Sequence, residues 1–76
     1  MTTRQVVAPG RLNQNPKAVR RQRLIAGLSQ KALAEKAGVS ANHMCNIERG
    51  HRSASVEMLH RIATALECDI EGLLAE

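Results

Sequence analysis

GLSQKALAEKAGVSANHMCNIERG, residues 27–50, holds two short amphipathic segments hinged at a glycine. Ser29 stands before QKALAEKA and Ser40 before ANHMCNIER. Serine is a residue type that accepts hydrogen bonds from the free N–H groups of a helix start. Gly38 and Gly50 follow the two segments, where glycine can adopt the left-handed backbone that ends a helix. Leu33, Ala34 and Ala37 fall on one side of the first segment, Met44 and Ile47 on one side of the second, with apolar Val39 at the join. Only about two non-helical residues separate the pair, and a link that tight forces a sharp angle, so the spacing predicts a helix-turn-helix unit. Ala34 has to be small because the second helix crosses close to it.

Working outward, Asn15 and Pro16 open a preceding helix over KAVRRQRLIA, which Gly27 ends. Val19, Gln22, Arg23 and Ala26 share its inward face, and Leu24 falls nearly opposite. Downstream, RGHRSA (residues 49–54) reads as a basic loop. Ser55 caps a fourth helix whose stripe is Val56, Leu59, Ile62, Ala63 and Leu66. Cys68 and Asp69 lead into a short last helix, DIEGLLAE, that packs Ile70 and Leu73. No segment has strand period. Residues 1–14 lack any period and contain the Pro9–Gly10 breaker, so they are expected to form a flexible N-terminal arm. Its Arg4 and Arg11 suit either a phosphate-tracking arm or a solvated tail. The expected architecture is all-α, with five short helices in one domain over residues 15–76.

Composition narrows the function. At 76 residues such a chain buries only roughly 60% of its extended surface, which leaves little room for a catalytic lobe or cofactor cavity. It contains no Phe, Tyr or Trp, which argues against a stacking platform for single-stranded nucleic acid. No apolar run approaches the ~20 residues of a membrane span, and no secretory signal is expected after Met1. Two cysteines, Cys45 and Cys68, are too few for a disulfide scaffold and are expected as reduced thiols in the cytoplasm. His43 and Cys45 diverge on a helix, and no C-x-x-C or paired-histidine spacing exists. We therefore expect no metal, no cofactor and no catalysis. Net charge is +4, distributed unevenly. Residues 1–34 hold seven Lys/Arg and no acid; residues 55–76 hold Arg61 against Glu57, Glu67, Asp69, Glu71 and Glu76. A cationic end of this kind fits a polyanionic partner, most commonly nucleic acid.

Residues 27–50, together with RSASVEMLHRIATALECDIEGLL downstream, resemble the lambda-repressor and Cro family of helix-turn-helix proteins, also called XRE-type. The likeness spans residues 16–74. It implies a five-helix bundle that binds double-stranded DNA as a homodimer on a palindromic operator, with helix 3 in the major groove. IERGHRSASVEML is similar to controller proteins of restriction–modification systems, and phage or plasmid repressors fit almost as well. The resemblance implies a transcription regulator in a bacterial or phage setting, cytoplasmic and on the nucleoid when bound.

With Met44 and Ile47 inward, the opposite face of helix 3 is Asn42, Asn46 and Arg49. An Asn amide matches the N6 and N7 positions of adenine, and the Ala41 methyl suits a thymine methyl. Ser40, Ala41, Asn42 and Asn46 are thus the expected base readers. Ser29, Gln30, His43, Arg49, His51, Arg52 and Ser53 are the expected phosphate contacts; for Gln30, which opens helix 2, that role is what the resemblance implies, supported by the positive helix end. Arg23 and Glu48 each lie on an inward face, and similar family members pair these positions, so a structural ion pair is expected. Three departures stand out: Ala54 where the family often has Pro, Glu67 where Gly commonly ends helix 4, and Cys68 where an aliphatic residue is usual. The alternative is an antitoxin-like interaction protein that binds a protein partner and autoregulates its operon, with Leu24, Met58 and Leu74 off the main stripes and free to face it.

Overall fold

Four short polar side chains set the starts of four helices. The Asn15 side-chain oxygen accepts from the N–H groups of Lys17 and Ala18 and opens α1 (Pro16–Ile25). Ser29 accepts from Ala32 and opens α2 (Gln30–Ala37). Ser40 accepts from His43 and opens α3 (Ala41–Arg49); Ser55 accepts from Met58 and opens α4 (Val56–Leu66). Each cap supplies a partner to an N–H that the helix itself cannot satisfy, an effect worth about 1 kcal/mol. The computed structural model describes residues 11–75.

At the join of α2 and α3, Gly38 has φ 76°. A side chain there would be strained by the backbone, and its Cβ would lie 3.3 Å from Arg61 Nη1. The Val39 N–H returns to Ala34 O at 2.9 Å, closing the turn. Helix α4 ends without a glycine: Glu67 takes φ 57°, the one non-glycine at positive φ among the described residues.

The core gathers one stripe from each helix. Val19 of α1, Leu33, Ala34 and Ala37 of α2, and Met44 and Ile47 of α3 meet Leu59, Ile62, Ala63 and Leu66 of α4, with Ala54 and Leu73 closing the ends. Helix α2 packs on both α3 and α4, and α1 on α3.

The structure departs from the sequence expectations in four places. The fifth helix is a single 3-10 turn, Ile70–Leu73. Asp69 makes no side-chain cap bond there, and Leu74 is drawn into extended backbone paired antiparallel with Gln14. Helix propagation gives way to that bridge. The expected arm over residues 1–14 does not hold at its end: Gln14 is fully buried, and Asn13 bonds to Ser53 and Ala54. The rest of the arm, residues 1–10, lies outside the described residues. Ala26 is exposed, because α1 has already ended at Ile25. Val56, in the first turn of α4, is 53% exposed, since the core begins one turn later at Leu59.

Candidate nucleic-acid interface

Helix α3 turns Met44, Ile47 and Glu48 inward, three positions that share one face at helical spacing. Ala41, Asn42 and Arg49 are exposed; His43, Cys45 and Asn46 are half-buried along the flanks. Asn42 and Asn46, four residues apart, therefore line the outer side, with Asn42 the more open. Ser40 is exposed at the helix start, but its oxygen already accepts from the His43 N–H at 3.0 Å. Its hydroxyl hydrogen and second lone pair remain to face outward. Ser29 stands alike, its oxygen accepting from Ala32 N–H at 3.0 Å. The first turns of α2 and α3 carry no acid, so their positive ends stay open to an anion.

The loop after α3 carries the exposed side chains of His51, Arg52 and Ser53. It leaves the helix through the His51 N–H donating to Asn46 O at 2.9 Å. Between Lys36 and Val56 the single acid is Glu48, and it is buried. The outer face of α3 and its loop thus present amides and cations with no exposed carboxylate.

Glu48 is held inside by three donors. Arg23 Nε reaches its Oε2 at 2.7 Å and Arg23 Nη2 its Oε1 at 3.1 Å. Gln30 Nε2 also donates to Oε1, at 3.1 Å. Arg23 Nη1 donates to Leu28 O at 2.8 Å. This network ties the last turn of α1, the first residue of α2 and the last turn of α3 to one another, fixing the angle at which α3 projects. Gln30, expected at a phosphate, has its amide turned toward Glu48, which leaves the second amide hydrogen for another acceptor. Its attraction to the buried carboxylate is the physical reason.

Sequence reasoning missed Gln14 and Asn13, which hold the loop from behind (Gln14 through Ile47, Arg52 and Ala54). One signal was present. Ala54 has a backbone N–H where a proline would have none, and that N–H needs an acceptor because Ala54 is buried.

Among the described residues no three His, Cys, Asp or Glu side chains come together as a metal site, and no helix is long and apolar enough to cross a membrane. Cys68 is half-buried against the core, and burial first, then the Asp69 carboxylate, pushes its thiol above the ordinary value.

Comparison with known proteins agrees with this geometry. The Helix-turn-helix family model (HTH_3) matches residues 19–73. The chain is 42% identical over 55 residues to an uncharacterized HTH-type transcriptional regulator of Mycobacterium tuberculosis, a match covering 72% of this chain and 39% of that protein. The chain thus spans about two fifths of that relative's length. Among solved structures, the restriction-modification controller protein C.AhdI from Aeromonas hydrophila superimposes with a TM-score of 0.73 at 32% identity, over 75% of this chain and 86% of that one. The P22 c2 repressor protein, solved in complex with a synthetic operator, also gives 0.73, at 29% identity over 78% and 89% of the two chains. Fold, spacing and similarity converge: the chain belongs to the helix-turn-helix family, of the XRE (lambda-repressor and Cro) type.

Proposed function

We propose that the chain is a sequence-specific regulator of transcription that binds double-stranded DNA as a homodimer, with α3 in the major groove of each half of a palindromic operator. The observation that carries this is the outer face of α3: Asn42 and Asn46 beside a cationic loop, with Glu48, the one acid between Lys36 and Val56, buried on Arg23. In this reading Asn42, Asn46 and Ala41 discriminate bases. Arg49, Arg52, Ser53, His43, His51 and the Ser29 hydroxyl hold the backbone and set register, and the Ser40 hydroxyl faces either a base or a phosphate. Gln30 assists through its free amide hydrogen and the start of α2. Each neutralised phosphate should lower the log–log salt slope of affinity by about 0.9.

The similarity to C.AhdI and to the P22 c2 repressor supports a bacterial or phage-encoded domain acting at an operator in the bacterial cytoplasm. Residues 13–76 serve as the binding domain, since Asn13 and the buried Gln14 are bonded into it. Selection of bound sequences from random duplex DNA tests the proposal. The expected product is a two-fold symmetric site whose half-sites lie roughly 10 base pairs apart. Enrichment of no sequence, or of a single asymmetric half, would contradict it.

One observation favours a second reading as an antitoxin-like partner protein: Leu24 and Ile25 are 54% and 72% exposed at the end of α1. A stoichiometric second protein co-purifying with the chain, lost on Ile25→Ser, would support that reading.

A further inference from the structure

Residues 13–15 bridge two parts of the molecule. On one side the Asn15 N–H donates to Leu73 O at 2.7 Å, and Asn13 O accepts from the Ala75 N–H at 2.9 Å. On the other side the Asn13 N–H donates to Ser53 Oγ at 3.0 Å and Asn13 Nδ2 donates to Ala54 O at 2.9 Å. Between them the Gln14 side chain is fully enclosed. Its Nε2 donates to Ile47 O at 3.1 Å and to Arg52 O at 2.9 Å. Its Oε1 accepts from the Ala54 N–H at 3.0 Å.

Both donors and one acceptor position of a single amide are therefore filled by the last turn of α3 and the loop that follows. A buried amide keeps its place only when such partners are met. The arrangement also works in reverse: the loop's carbonyl at Arg52 and N–H at Ala54 have Gln14 as their partner. Without it, an exposed loop carrying polar side chains has little of its own to fix its shape. Proline at position 54 would have no N–H for Oε1, so alanine there and glutamine at 14 form a matched pair.

We infer that Gln14 is a positioning residue for DNA contact. It holds residues 50–54 in the shape that brings Arg52 and Ser53 to the phosphate backbone, while touching no DNA itself. This rests on the proposed role of that loop as a phosphate grip.

The test is a double-mutant cycle of Gln14→Met with Arg52→Ala, read by fluorescence anisotropy on the selected operator, with folding at the assay temperature checked by circular dichroism. Methionine fills a similar volume but makes none of the three bonds. In the wild-type background Arg52→Ala should weaken binding about tenfold and flatten the salt slope by about 1. Gln14→Met alone should do much the same, and adding Arg52→Ala to it should cost less than about twofold more. Base preference, read as the affinity ratio of operator to random duplex, should persist in Gln14→Met. A full further loss from Arg52→Ala in the Gln14→Met background overturns the inference, because the loop then keeps its contact without the clasp. No effect of Arg52→Ala in the wild type refutes the phosphate grip itself and takes the inference with it, a different pattern of results. If Gln14→Met is unfolded, Gln14→Glu, which keeps an acceptor for the Ala54 N–H and loses both amide donors, replaces it in the cycle. A reduced Arg52→Ala effect in that background supports the clasp and full additivity overturns it.

Discussion

Replacing Arg23 with Met removes the cation and leaves Glu48 where it is. The Glu48 side chain is 2% exposed and that of Arg23 10%, so neither charge can turn to water without opening the fold. An exposed ion pair contributes about 0–1 kcal/mol. Here the pair is bidentate, at 2.7 and 3.1 Å, with Leu28 O and Gln30 Nε2 completing the shell. After the substitution Gln30 alone remains of the three donors to Glu48. Removing one partner of a buried pair costs about 3–5 kcal/mol, against a total stability of roughly 5–10 kcal/mol for a domain of this size. At about 4–8 °C per kcal/mol, the melting temperature should fall by roughly 12–40 °C. Urea and thermal unfolding followed by circular dichroism at neutral pH measure this. The double variant Arg23→Met/Glu48→Met lacks both charges and should recover most of the loss. A single-variant loss under about 1 kcal/mol, or a double variant as unstable as the single one, would refute the buried, mutually compensating pair.

Three further outcomes follow from particular residues. Glu67→Gly relieves a side chain held at φ 57° and should raise stability by about 0.5–1 kcal/mol in the same unfolding assay; a loss would mean that the Glu67 side chain contributes more than its backbone strain costs. Asn42→Ala should remove about 1–3 kcal/mol of operator preference while affinity for random duplex stays constant; a parallel fall in both would make Asn42 a backbone contact and not a base reader. The Cys68 thiol, raised by burial and by Asp69, should alkylate several-fold more slowly than free cysteine at mildly alkaline pH, since the thiolate is the reactive form; mass spectrometry showing equal rates would contradict that environment.

What the sequence disclosed was what is encoded locally. Asn15, Ser29, Ser40 and Ser55 each bond to an N–H two or three residues away, so four helix starts could be placed from single residues. Arg23 and Glu48 lie 25 positions apart, yet each was visible as a charge on an apolar face, and two such charges need each other. Gln14 left only an indirect trace, the N–H that alanine brings to position 54. Its partners lie 33 to 40 residues downstream, and a glutamine in a stretch without period looks like solvated chain until the loop it fills is in view. The closing turn departs from its composition for a linked reason. DIEGLLAE has helical composition, but the pairing of Leu74 with Gln14 pulls its end into extended backbone. Likeness to other helix-turn-helix chains puts Gln30 at a phosphate, whereas the buried carboxylate beside it takes one of its amide hydrogens.

The central claim is that the outer side of α3 meets DNA, and amide chemical-shift mapping during titration with the selected operator tests it most directly. The account predicts the largest changes at Ser40–Asn46 and at His51–Ser53, with the middle of α4, His60–Ala65, nearly still. Changes centred on α4 or on the outer side of α1, with α3 silent, would contradict it.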